Sequence, residues 1–303
     1  MLKRLFCLHI LFFTCFLSFS QSLFEPAETL NKKRVIGVTT AGGLAWGGSI
    51  GALGFVWYAN FDKSPFHFFD DSHEWNQMDK MGHLYVSNHV ANFISNTYQW
   101  AGISKKKATL FGSLYSFGYM TTFEMLDAYN TQWGFSWSDM AFNAIGSGSY
   151  FAQNYFLDKQ YVKLKFTSHQ SGLAQYRPNV LGSDYPSRLL KDYNGQTYWA
   201  SFNPVHWINK ESKLPKWVIF SFGYSTNNQL IGDGDTYVVT TSTGSTAYTP
   251  YRQLFFSLDI DWEEIETNSQ FLRILFKGLN KVKVPFPALE LSQGKIQIKP
   301  LYF

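Results

Sequence analysis

The chain has 303 residues, 45% hydrophobic, 16% charged and an unusual 19% aromatic, with a formal net charge of +4. That hydrophobicity excludes disorder, and so few charges, scattered along the chain, exclude a nucleic-acid footprint. The length holds one large domain or two small ones with a substantial core.

The opening MLKRLFCLHILFFTCFLSFSQ reads as a secretory signal over residues 1–20. Lys3 and Arg4 are its basic start, Leu5 to Phe19 its apolar run, and Ser18 and Ser20 the small residues before a cut ahead of Gln21. An uncleaved anchor helix is the alternative. Cleavage would remove Cys7 and Cys15, both cysteines of the chain, and with Lys3 and Arg4 would lower the charge from +4 to +2. The mature chain would then hold no disulfide and no thiolate metal site. Cys15 lacks the small residues of a lipid-attachment motif.

From Val35 to Tyr58 the chain runs 24 residues without a charge, long enough to cross a bilayer or to be a buried bundle helix. Gly43, Gly47 and Gly51, four apart, predict a helix face that lets another helix approach closely. Helices follow over 78–100, 107–129 and 138–157, and their short links predict an up-and-down arrangement of about four helices. Lys32–Arg34, Lys105–Lys107 and Lys159, Lys163 and Lys165 then fall on one side, opposite Asp62, Asp70, Asp71 and Glu74. The positive-inside rule and an exported N-terminus point opposite ways on this charge pattern. The signal takes precedence, leaving the bundle in the periplasm or against a membrane.

Polar residues interrupt these apolar helices in pairs. Asp79 and His83 are four apart, Glu124 and Asp127 three apart, and Asp139 and Asn143 four apart. Each pair shares a helix face, and up-and-down connectivity brings the three helix ends into one layer. Such a layer can bind a divalent metal, with His83, Glu124 and Asp139 as ligands. It can serve acid–base chemistry through all six residues, because crowded carboxylates raise one another's pKa. It can also be a structural network that fixes helix register. Ser136, three before Asp139, reads as a helix cap, and Asp79 suits a first turn.

The order Asp79-Lys80-x-x-His83, then Glu124 and Asp127, then Asp139, Asn143 and Gly146 resembles the VanZ-like families. Within them it is most similar to the YfiM-type predicted periplasmic lipoproteins, a domain of unknown function. The stretch from Phe66 to His83 resembles the longer Bacteroidetes-type versions. The likeness covers about residues 30–160 and implies a helical, membrane-associated envelope domain with no established chemistry.

After about residue 165, prolines and aromatics replace long helices. LLKDY at 189–193 predicts a short helical turn. Strands are predicted over 216–225, 236–247 and 251–262, a helix over 268–280, and a last strand in KIQIKPLYF. In the third strand Leu254, Phe256, Leu258 and Ile260 alternate with Gln253, Phe255, Ser257 and Asp259, so one face meets either the core or lipid. Asp233-Gly234 reads as a hairpin turn, and Pro285 and Pro287 as the end of the last helix. A final Phe303 suits an outer-membrane barrel, but four strands fall short of one.

The sequence thus predicts an α+β protein: an antiparallel bundle of about four helices over 30–165, then a small antiparallel sheet with one further helix over 166–303. It predicts a cell-envelope location, in the periplasm or outer membrane after cleavage, with the inner membrane as the alternative. Partners are membrane lipid or envelope proteins, with no nucleic acid. Two functions stand: an envelope protein whose polar layer is structural, or a metal-dependent or acid–base hydrolase of an envelope lipid or peptidoglycan-related substrate.

Overall fold

The computed structural model describes residues 25–56, 61–203 and 215–302. The predicted signal segment lies outside the described residues, as does Phe303. Four long helices come first: α1 (Lys32–Val56), α2 (Met78–Trp100), α3 (Lys105–Asp127) and α4 (Trp137–Phe156). Strand β1 (Val162–Ser168) follows, then the short helices α5 (Pro178–Leu181) and α6 (Tyr185–Lys191), and β2 (Gln196–Phe202). The chain continues through β3 (Val218–Asn227), β4 (Tyr237–Thr241), β5 (Gly244–Tyr248) and β6 (Tyr251–Ile260). Helix α7 (Gln270–Leu279), β7 (Phe286–Ser292) and β8 (Lys295–Tyr302) complete it. This is the predicted α+β order, bundle before sheet.

Helices α2, α3 and α4 pack closely because their shared faces carry small side chains. Ser87, Ser95, Ser113, Ser116 and Ser147 are all buried there, and the Ser116 hydroxyl donates to the Ser87 carbonyl at 2.6 Å. Gly112 lies against the α2 backbone at Ala91, and Gly146 against Leu84 and Ser87. A methyl group at Gly146 would run into the Leu84 carbonyl and the Ser87 hydroxyl. Gly146→Ala is therefore expected to cost about 1–3 kcal/mol by overpacking, read as a lowered denaturation midpoint. A Gly148→Ala control, at a position with open space around it, should not show this.

Helix α1 departs from prediction. Among the described residues nothing packs against Gly43, Gly47 or Gly51, so the glycine row forms no seam with α2, α3 or α4. The contact runs through Trp46 instead, edge-on to Tyr115 and Tyr119, with its indole N–H donating to Thr122 at 3.2 Å. None of its described side chains is buried, so α1 lies outside a three-helix core. Among the described residues, no helix is long and apolar enough to cross a membrane.

The sheet has six antiparallel strands in the order β1-β2-β3-β6-β7-β8, while β4 and β5 form a separate hairpin. The strand expected over 236–247 is thus two strands turning before Gly244. Asp233-Gly234 forms a turn, with Gly234 at φ 81°, but it joins β3 to β4, which do not pair with each other. Strands β1, β2 and β7 were not predicted. Pro287 lies inside β7 at an irregularity in its pairing with β8, where a missing N–H is tolerated.

One face of this sheet is buried and polar. Lys163 and Lys165, expected among surface charges, are buried there in ion pairs with Asp261 and Asp259 at 2.7 and 2.8 Å. Trp199 fills the middle of that face, its indole N–H donating to Thr167 at 2.9 Å, with the Lys283 ammonium 4.6 Å from its ring centre.

Bundle and sheet meet through hydrogen bonds from aromatic tips. Tyr85 on α2 donates to the Lys281 carbonyl at 3.0 Å, and His89 bonds the Leu164 carbonyl at 2.9 Å. The segment entering α2 is a left-handed turn, with Trp75, Asn76 and Gln77 at φ 50°, 50° and 63°. Non-glycine residues adopt that conformation only when their surroundings impose it. Here the sheet does so. Tyr224 donates to the Asn76 carbonyl at 2.5 Å, Asn76 donates to Thr226 at 2.9 Å, and Arg252 donates to the Gln77 side chain at 2.8 Å.

Candidate functional site

The left-handed turn ends one residue before α2, so it fixes where Asp79, Lys80 and His83 emerge. Ser136 caps α4 by accepting the Asp139 N–H at 3.1 Å, as the spacing predicted. Its hydroxyl also donates to Asp71 at 2.6 Å, and Ser138 does the same at 2.7 Å. Asp139 is thereby left with its carboxylate turned into the bundle.

Five of the six predicted residues converge. His83 sits at the centre, its Nδ1 3.1 Å from Asn143 Oδ1 and 3.4 Å from Glu124 Oε1. Its Nε2 faces the other way, 3.7 Å from both Asp79 Oδ1 and Asp139 Oδ1. Asn143 donates to Glu124 at 3.3 Å, closing the layer. Asp127 lies one turn beyond Glu124, partly exposed, and its charge bears on Glu124.

Three members stand outside the predicted set. The Lys80 ammonium, 1% exposed, lies 2.6 Å from Asp139, 2.7 Å from Asp71 and 3.1 Å from Asp79. Tyr193, arriving from the far side of the chain just before β2, donates its hydroxyl to Asp79 at 3.0 Å. Asp71 and Lys80 had a signal in the sequence, since Asp71 adjoins a second acid, Asp70, and Lys80 adjoins the acid Asp79 at the start of a helix. Tyr193 had none, because its position depends on how the sheet docks.

The protonation of the layer follows from burial and crowding. Burial disfavours the charge on Glu124 and, with the neighbouring carboxylates, pushes its carboxyl up to about 8. Asp139 is raised by burial and by Asp79, whereas Asp79, though also desolvated, is held below its ordinary value by His83 and Lys80. The two carboxylates therefore favour one shared proton. Burial works against the imidazolium of His83, but Asp79, Asp139 and Glu124 outweigh it and lift the ring to about 8. Lys80 is held protonated by its three carboxylates against its own desolvation.

Donor atoms of Asp79, His83 and Asp139 lie within 4.8 Å of one another, close enough to ligate one cation. Glu124, a predicted ligand, faces the opposite nitrogen of the ring, so one ion could not take all three residues of the predicted set through Nε2. The Lys80 ammonium already lies against both Asp79 and Asp139, where it supplies the positive charge that a metal would bring.

Asp79 and His83 form the polar floor of a cavity of about 350 Å³. Its walls are mostly apolar and aromatic, with Val86, Met120, Phe166, Leu189 and Leu190 beside Tyr85, Tyr193 and Tyr198, and the polar side chain of Gln196 among them. The two residues at the floor are half-buried, while Lys80 and Glu124 behind them are sealed.

No curated protein and no solved structure matches the chain. Residues 67–154, which carry the whole cluster except Tyr193, match the family described as predicted periplasmic lipoprotein (DUF2279), a domain of unknown function.

Proposed function

We propose that the chain is a cell-envelope protein whose bundle binds an amphiphilic envelope molecule, its polar head against Asp79 and His83 and its apolar part in the adjoining cavity. The carrying observation is that cavity: apolar walls ending on a half-buried carboxylate–histidine pair. Binding sites of this kind take energy from their apolar lining and orientation from a few polar groups. Lys80, Glu124, Asp139 and Asn143 then act as the buried network that fixes the pair in place. The family description supports the envelope location. The resemblance to VanZ-like and longer Bacteroidetes-type proteins is the wider kinship we infer for the bundle.

A second reading, acid–base hydrolysis of the same amphiphile, is favoured by the side-by-side placement of Asp79 and His83 at the cavity floor. An ionised Asp79 would take a proton from water while the His83 imidazolium supplies one to the leaving group. A divalent metal would enter this scheme only by displacing the Lys80 ammonium.

The test is mass spectrometry of organic extracts from the full chain purified in mild detergent. A near-stoichiometric amphiphile is expected, falling about tenfold or more in Val86→Trp, which fills the cavity, with helix content unchanged. An extract with no such molecule, or one indifferent to Val86→Trp, overturns the binding reading. Turnover that vanishes in Asp79→Asn while binding persists selects hydrolysis.

A further inference from the structure

The polarity of the sheet is inverted relative to that of a water-soluble sheet. On β6, Gln253, Ser257 and Asp259 are buried around Phe255, which packs on Trp199, while Leu254, Phe256 and Leu258 are exposed. On β7, Glu290 and Ser292 are buried while Leu289 and Leu291 are exposed. Strand pairing joins these positions into one surface: Phe222 opposes Phe256, which opposes Leu289, which opposes Ile298. A water-soluble sheet that leaves one face wet puts its polar side chains there. This sheet hides buried ion pairs and presents hydrocarbon.

We infer that bilayer lipid covers this face, so that β3, β6, β7 and β8 form a lipid-facing wall with a polar interior. Strands β3 and β6 have ten residues each, the length of tilted membrane strands. The outward side chains of β3 and β6 are uncharged from the Val218–Ile260 pair up to Tyr224, where Arg252 bonds the Tyr224 hydroxyl at 3.0 Å. Aromatic residues mark both ends, with Trp217 and Trp262 at one and Tyr224 at the other, as membrane interfaces favour.

Helix α7 adds an independent observation at the tryptophan end, where Phe276 lies 5.8 Å from Trp262. It has no buried residue, and Phe271, Ile274 and Leu275 are exposed beside Arg273 and Lys277. An amphipathic helix that exposes apolar side chains beside basic ones suits the headgroup boundary, with Arg273 bonded to the Thr267 carbonyl and Lys277 to Asn96. A second protein copy would account for one exposed patch. It would not account for strand length, aromatic ends and an adjoining interfacial helix together.

The experiment uses the full chain with Cys7 and Cys15 replaced by Ser, carrying single bimane-labelled cysteines at Leu254→Cys, Leu289→Cys or Val238→Cys. Val238 is as exposed as the others but lies on the separate β4–β5 hairpin. In phosphatidylcholine vesicles with brominated acyl chains, positions 254 and 289 are expected to be quenched several-fold more than 238. Because the bromines report only their own surroundings, an anchor elsewhere in the chain cannot produce that contrast. Equal or absent quenching at the three sites overturns the inference. So does efficient cross-linking between copies through position 254, which would put a second copy on this face.

Discussion

Lys80→Met is expected to destabilise the protein by about 3–5 kcal/mol, the cost of leaving buried charge without its partner. The ammonium is in contact with Asp71, Asp79 and Asp139 and has no access to water. Methionine fills the same space but leaves three carboxylates facing one another across it. They can relieve the repulsion only by taking up protons, so the loss should be smaller at pH 5 than at pH 8. Adding Asp139→Asn to Lys80→Met removes one of the three charges and should recover part of the stability. Denaturant titrations of wild type and both variants at the two pH values read this directly. A Lys80→Met protein as stable as wild type at pH 8 would show that the carboxylates are not held as charged groups.

The second large effect is on pH dependence. Unfolded, Glu124 releases its proton near 4.5, whereas in the fold it keeps it to about 8. Between those values the folded chain holds the extra proton, so stability falls as pH rises. His83 acts in the same direction: its folded value of about 8 lies above the unfolded 6.5. Its contribution is full below 6.5 and is lost as pH rises through 8. At about 1.4 kcal/mol for each pKa unit, the two together predict a loss of several kcal/mol between pH 5 and 9. Glu124→Gln, which stays neutral at every pH, should flatten most of that slope. It should also leave the variant more stable than wild type at pH 9. Denaturation midpoints across the range check this, and a flat wild-type profile would contradict it.

The helices and the convergence of their polar ends were legible because both rest on local rules. A spacing of three or four fixes a helix face, and short links fix antiparallel neighbours. That was enough to bring Asp79, His83, Glu124, Asp139 and Asn143 together. Asp127, three residues after Glu124, is turned about 60° from it around the helix and adds its charge to the cluster. Lys80 enters the sequence reading only as part of the family resemblance, since spacing alone gives a lysine beside Asp79 no role. Only the arrival of Asp71 from the preceding loop makes its burial affordable. Tyr193 could not be found from spacing at all, since it reaches Asp79 through the docking of the sheet. In the C-terminal half, alternation identified β3 and β6, where hydrophobic and polar residues are cleanly sorted. It missed β1, with lysines at alternate inward positions, and β7, whose second residue is a proline. Along the glycine row of α1 no described residue packs close, because small residues permit close approach but do not require it.

The left-handed turn before α2 also sets a timetable. Trp75, Asn76 and Gln77 are unfavourable on their own, by about 1–3 kcal/mol each. The groups that stabilise them, Tyr224, Thr226 and Arg252, follow 148 to 175 residues later in the chain. At ribosomal rates of about 5–20 residues per second, the first part of the site waits on the order of ten seconds for its support. A chain emerging N-terminus first can therefore form its helices early, yet cannot set Asp79 and His83 in register until the sheet is made. Helices formed ahead of the sheet therefore hold an unfinished pocket, and the Asp79–His83 pair is in place only when the C-terminal half has folded.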